Sequence, residues 1–258
     1  MVGSFLNVCI WRLPAEEQIV AGRSHCRSCR KTIAWYDNIP LVSFVQLKGR
    51  CRHCGAKISW LYPFVELITG LLFVGVMIRF GGSDLALVYA VFAAALLVLT
   101  MIDLREMILP DEITLPGISF GVIASTLVPA LHGTNNRWTA LTGSVAGALA
   151  GAGITCAISW IGTRLFRRKL QAIGEEAAMG FGDVKLMAMI GAFIGVWKAL
   201  MVVLLFGPLL GSIVGIFLKL RFGREIVPYG PFLVLGTAVA VLWGDGIIAW
   251  YRVALGLS

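Results

Sequence analysis

Apolar residues run along this chain in long blocks, and polar residues gather between them. A membrane-crossing helix needs about 20 mainly apolar residues, and runs of that kind stand at 62–80, 84–102, 112–131, 139–163, 184–198, 199–218 and 230–250. The pattern predicts seven transmembrane helices and no sheet. The opening MVGSFLNVCIW is apolar but too short to cross, so it is read as the inner half of an eighth helix whose beginning is missing, or as an interfacial segment. A signal peptide is excluded, because no basic stretch precedes the apolar run and no cleavage site follows it. Residues 14–61 are the one region that reads as soluble.

Composition agrees with that class. Of the 258 residues 58% are hydrophobic and 14% charged, against roughly 25% charged in soluble domains. Lys and Arg favour the cytoplasmic side of short loops. With 14–61 placed inside and the spans alternating, the inner loops and their edges hold 18 of the 22 basic residues, leaving only Arg79, Arg137, Lys198 and Arg252 outside. Topology and anionic headgroups therefore account for the net charge of +8 without a nucleic-acid partner.

The polar loop carries CRSC and CRHC, the pairs Cys26/Cys29 and Cys51/Cys54, with 21 residues between them. Each pair can turn two thiolates toward one tetrahedral ion, which points to a zinc-ribbon-like site. Disulfides are the alternative, and a reducing cytosol disfavours them. His25 and His53 flank the pairs and are read as solvated neighbours, Cys9 and Cys156 as small buried hydrophobes. So short a loop has little core of its own, and metal would supply much of its folding energy.

Two aspartates stand where membrane helices meet the inner loops: Asp103 in DLREMILPD and Asp183 in GFGDVKL. A lone carboxylate in hydrocarbon is costly, so function is the default reading. Two close carboxylates share a proton, one acting as general base toward water while the other donates to the scissile carbonyl. Gly180 and Gly182 suggest a backbone that must approach closely. Lys185, two residues from Asp183 and so not facing it on a helix, is expected to snorkel to phosphate. Asp111 follows Pro110 and is expected to cap the next helix.

The motifs together resemble the bacterial type IV prepilin peptidases, membrane aspartic proteases of the GxGD class. The resemblance rests on GSFLNVCIWRLP at 3–14, the two cysteine pairs, YDNIPLVSF at 36–44, GRCRHCGAKIS at 49–59, YPFVELITG at 62–70, DLREMILPD at 103–111 and GFGDVKL at 180–186. It implies that Asp103 and Asp183 are the catalytic pair and that Cys26, Cys29, Cys51 and Cys54 bind zinc. It implies a multi-pass protein of the bacterial inner membrane, with zinc loop and aspartates on the cytoplasmic side. Its substrates would be prepilins and pseudopilins, cleaved behind a basic leader and then N-methylated from S-adenosylmethionine. Residues 1–61 would form a partial first helix and the zinc-binding, methyltransferase-associated loop, and 62–258 the transmembrane peptidase domain. Members of that family carry a full helix ending at GSFLNV, whereas here Met1 stands two residues before it. Asn7, Arg12 and Glu66 match family positions near the zinc loop and are read as helix-end and packing residues.

Other features read as architecture. Glycines four apart in GSVAGALAG at 143–151 and GPLLGSIVG at 207–215 suit close helix packing. His132 is expected to be solvated in an outer loop, and Asp245 to mark where the last helix leaves the bilayer. A proton-coupled transporter is the alternative reading, though it would tend to hold its carboxylates near the midplane between repeats.

Overall fold

In a computed structural model, residues 1–19, 25–172, 174, 176–223, 227–254 and 256 are described. Nine α-helices stand among them: α1 Val2–Arg12, α2 Val42–Gln46, α3 Leu61–Phe80, α4 Asp84–Glu106, α5 Asp111–Leu127, α6 Arg137–Ala172, α7 Phe181–Met201, α8 Gly207–Phe222 and α9 Gly230–Ala254. The chain is an all-α polytopic membrane protein. Among the described residues, five stretches are long and apolar enough to cross a bilayer: Leu61–Phe80, Asp84–Glu106, Arg137–Ala172, Phe181–Phe222 and Gly230–Ala254. The run at 112–131 forms α5, whose 17 residues include Pro116. The runs at 184–198 and 199–218 merge into one 42-residue stretch, joined by a π-helical turn at Val202–Phe206.

The chain divides into two compact units, Met1–Ile102 and Asp103–Ser258. In the first, α1 packs on α3. A Cβ at Gly3 would stand 2.8 Å from the Glu66 Cα, and the Asn7 side-chain amide donates to the Tyr62 carbonyl at 3.0 Å.

The second unit is built around α7, the most buried of its helices. The small-residue stripe of α6 meets it backbone to backbone. A Cβ on Gly147 would run into the Gly191 carbonyl, one on Gly191 into the Gly147 carbonyl, and one on Gly151 into that of Met187. Ser144 completes the seam by donating to the Ala192 carbonyl at 2.8 Å. Gly191→Ala is therefore expected to cost about 1–3 kcal/mol by overpacking, read as a lower thermal midpoint of the purified protein in detergent. An unchanged midpoint would mean that α6 and α7 can part without penalty.

The neighbours of α9 reveal the course of the 42-residue stretch. Asp183, in the first turn of α7, senses Tyr229 just before α9. Lys198 pairs with Asp245 at 2.9 Å, far along α9. Gly207 and Gly211 then lie back against Tyr229 and Phe232. The chain thus runs alongside α9, reverses at Gly195, where φ is +75°, and returns antiparallel to it. Only a residue without a Cβ takes that conformation at no steric cost. The apolar runs located both limbs correctly, but the turn between them needs one glycine and no polar loop.

Three expectations are corrected here. His132 is half-buried and engaged rather than free in solvent: its Nε2 lies 3.0 Å from the Ser125 hydroxyl, and its ring lies beside Gly195. Cys156 lies exposed on α6 and is not a buried hydrophobe, while Cys9 is half-buried. Asp245 is the partner of Lys198 and not merely a marker of the helix end.

Candidate active site and metal centre

Asp103 lies one turn before the end of α4, and Asp183 in the first turn of α7. Both are buried. The two carboxylates are close enough to interact electrostatically although 80 positions separate them in the sequence. A helix N-terminus favours negative charge and a C-terminus disfavours it, so the two acids start from opposite local fields. The Asp103 deficit is met by α9: the Gly230 backbone N–H, at the first residue of that helix, donates to Asp103 Oδ2 at 3.0 Å. A Cβ on Gly230 would sit 2.6 Å from that oxygen. Sequence reasoning missed this contact; the only available signal was the YGP that opens the last apolar run.

Gly230→Ala is accordingly expected to push the Asp103 carboxylate out of place and to slow any reaction that depends on it by about 100-fold. The effect should fall on kcat rather than on KM, with the protein still accumulating. A variant with unaltered kcat would show that the position of this carboxylate does not matter to the chemistry.

Of the two GFGD glycines, Gly182 makes the close approach expected and Gly180 does not. Gly180 is extended, with φ −64° and ψ 147°, and accepts the Asp183 N–H at 3.1 Å. Gly182 lies tight against a neighbour, since a Cβ there would stand 3.0 Å from the Leu109 Cβ. Lys185 does not reach for phosphate: its Nζ bonds both oxygens of Asp111, at 2.6 and 2.7 Å. Asp111 in turn is not a side-chain cap, because Pro110 holds the N-cap position of α5. This ion pair ties the start of α5 to the first turn of α7 beside Asp183.

The four loop cysteines converge in the first unit. The Sγ atoms of Cys26, Cys29, Cys51 and Cys54 all lie within 4.8 Å of one another, and those of Cys26 and Cys54 are 3.8 Å apart. Tetrahedral coordination at Zn–S distances of about 2.3 Å places sulfurs about 3.8 Å apart, so the donor set fits such an ion. The two knuckles are built alike. Cys26 N donates to Lys31 O and Arg30 N returns to Cys26 O, while Cys51 N donates to Ala56 O and Gly55 N returns to Cys51 O. Antiparallel bridges His25–Thr32 and Arg50–Lys57 close the two turns. Each turn has a left-handed residue at the same place, Arg30 (φ 56°) in one and Gly55 (φ 69°) in the other. The Cys29 backbone N–H, ahead of an opposing effect of burial, lowers the Cys26 thiol to about 7, toward the thiolate that binds metal. His25 and His53 are exposed and outside the cluster, as expected.

Arg52 clamps the same loop by a bidentate contact to Asp37 at 2.7 and 2.6 Å. Its hydrogen bond and charge hold the Asp37 carboxyl below the usual carboxylate range. A depressed carboxylate stabilises the fold above its unfolded pKa, and that contribution is lost as pH falls through the folded one.

Beside the cysteines lies a cavity of about 370 Å³, walled by α1, α3 and the loop, with Asn7, Trp11, Glu17, Tyr62 and Glu66 in its lining. The three residues read from sequence as packing and helix-end groups all face it. Arg12 donates to the Gln18 carbonyl at 2.8 Å, and Glu66 accepts the Leu41 N–H at 2.9 Å.

The fold and these two centres define a polytopic helical membrane protein with a cysteine-rich loop in one unit and a buried carboxylate pair in the other. Residues 1–80 match the bacterial peptidase A24 N-terminal domain and residues 90–216 the type IV leader peptidase family, and the chain belongs to that family. Relatives named prepilin leader peptidase/N-methyltransferase include a protein of Aeromonas hydrophila, 36% identical over 97% of this chain and 90% of its own. One from Pseudomonas putida is 34% identical over 99% of this chain and 92% of its own, and one from Legionella pneumophila 34% identical over 97% and 90%. No solved structure matches the chain. Membership of a peptidase family sets aside the transporter reading.

Proposed function

We propose that this protein cleaves the basic leader from type IV prepilins and pseudopilins at the cytoplasmic face of a bacterial inner membrane, and then N-methylates the new terminus. The carrying observation is that Asp103 and Asp183, distant in sequence, are both buried at the ends of apolar helices around one neighbour, Leu109, which borders Gly182, next to Asp183, and Gly230, the donor to Asp103. Two carboxylates so placed share one proton. The ionised one takes a proton from water as that water attacks the scissile carbonyl carbon, and the protonated one gives its proton to the carbonyl oxygen. Collapse of the tetrahedral adduct breaks the C–N bond: the amine leaves with the proton first taken from water, and the second carboxylate takes a proton back from a hydroxyl of the adduct as the new carboxyl group forms. The carboxylate pair ends as it began.

The four cysteines hold zinc, which cross-links the two knuckles and supplies folding energy to a loop with little core. S-adenosylmethionine supplies a methyl group on a sulfonium: its transfer to the amine leaves a neutral thioether and releases one proton. The labour divides along the chain, with 1–61 carrying the zinc-binding, methyl-transfer part and 62–258 the peptidase. Co-expression with a prepilin, read as a shift in its size on a gel, tests the cleavage. A prepilin that stays full length beside an intact, membrane-inserted enzyme would refute it.

The orientation has its own test. A membrane-impermeant thiol reagent is expected to reach a cysteine placed at Asn135 from outside and to miss one placed at Glu175, a position outside the described residues. The reverse labelling would put the carboxylates on the wrong face for cytoplasmic leaders.

A further inference from the structure

We infer that the face formed by α2 and the second cysteine knuckle is a docking surface for anionic phospholipid, so that the loop lies on the bilayer and not free in water. The inference goes beyond the proposed reaction and does not rest on it. An open groove of about 520 Å³ lies on this face, with Phe44, Val45 and Trp60 as its apolar lining and Lys48, Arg50 and Lys57 as its basic lining. No acidic residue occurs anywhere from position 38 to 65. Val45 is 73% and Trp60 77% exposed, and the three cations are exposed as well. Among the described residues none of those cations has an ion-pair partner.

The depth of the groove follows from the chain. Trp60 is the N-cap of α3, a helix long and apolar enough to cross a bilayer, so its ring stands at headgroup level, where tryptophans anchor such helices. Phe44 packs on it with 4.8 Å between ring centroids, which holds α2 at the same depth. The knuckle is tied in by hydrogen bonds: Gly49 N donates to Phe44 O at 2.9 Å, and Ile58 N to Gly49 O at 2.8 Å. Arg50 and Lys57 then oppose each other across an antiparallel bridge. Residues paired in that way share a face, and like charges directly opposite are destabilising. A phosphodiester between them replaces one repulsion with two attractions, and Lys48 adds a third cation two residues away. The apolar lining selects the source of that phosphate. Val45 and Trp60 have nothing to bury against in a free anion, whereas the acyl boundary beneath a headgroup covers apolar groups of this kind. In the proposed orientation the groove faces the cytoplasmic leaflet, whose anionic lipids attract basic segments next to a membrane helix.

The test uses the full-length protein in nanodiscs of phosphatidylcholine, alone or mixed with phosphatidylglycerol, and follows amide hydrogen exchange over 42–60. Exchange there is expected to be slower by about tenfold or more in the anionic discs. The slowing should vanish in the triple variant Lys48→Gln, Arg50→Gln, Lys57→Gln, and also for the parent in molar salt, which screens charges beyond about 3 Å. Exchange over 26–32, which contributes nothing to the groove, reports whether the variant loop stays folded; the salt measurement needs no variant and decides the matter if it does not. A photoreactive p-benzoylphenylalanine introduced at Val45 should cross-link to lipid. Equal exchange in the two kinds of disc, or slowing that survives molar salt, would overturn the inference. Slowing produced in phosphatidylcholine discs by dissolved glycerol phosphate would assign the cations to a free anion, and cross-linking from Val45 to an added prepilin in place of lipid would assign the face to the substrate; either result would overturn it too.

Discussion

Asp103→Asn and Asp183→Asn are each expected to abolish leader cleavage, with a loss of about 100- to 10,000-fold or more from removal of acid–base chemistry. The protein should still accumulate in the membrane. The amide keeps the size of the carboxyl and can still accept the Gly230 N–H that Asp103 accepts at 3.0 Å, so the loss should be chemical rather than structural. It cannot hold and release the shared proton, which is the whole of the proposed mechanism. Either variant cleaving at near the parent rate would remove that residue from the pair. Asp111→Asn supplies the contrast. Asp111 is half exposed in its ion pair with Lys185, and such pairs contribute roughly 0–1 kcal/mol. A modest fall in activity is expected there, from a loosened link between α5 and α7. Total loss at Asp111 would mean that the reacting carboxylate of this loop had been misassigned.

The paired replacement Cys26→Ser, Cys29→Ser is expected to release the metal and unfold the loop while leaving the second unit intact. Two of four soft donors are lost, and both lie in one knuckle, so the remaining pair cannot complete a tetrahedral set. Because the loop belongs to the part proposed to carry methyl transfer and depends on metal for its fold, methyl transfer should fail. Mass spectrometry of the processed pilin should then show the correct cut without the increment of about 14 Da that one added CH₂ represents. Correct cleavage with no methyl supports the proposed division of labour between residues 1–61 and 62–258. Loss of both, with the protein still in the membrane, would instead make the loop a dock for the substrate or a support for the catalytic helices. Fully normal products would leave the cysteine cluster without a role in either reaction.

What could be read from the chain is what local chemistry enforces. Apolar runs of membrane length become helices because unpaired backbone groups are intolerable in hydrocarbon, and every run marked in the sequence is helical here. The cysteine cluster was legible for the same kind of reason. Each C-x2-C turn closes on its own hydrogen bonds within a few residues, and the spacing alone announces a tetrahedral donor set. The small-residue stripe at 143–151 announced a close seam, and the seam exists at Gly147 and Gly151.

What remained for tertiary structure was the identity of partners. Asp103 and Gly230 are 127 residues apart, Lys185 and Asp111 are 74 apart, and no local period relates them. Lys185 was expected at phosphate because the sequence shows only its own helix, whereas packing brought the start of α5 within reach. His132 was expected in water because a loop position looks solvated, yet its ring lies beside the reversal at Gly195. The turn at Gly195 was itself hidden, since one glycine among apolar residues carries no polar signature. The cavity could not be read at all: its walls come from two helices and a loop, and a void is a property of how elements pack rather than of any one of them.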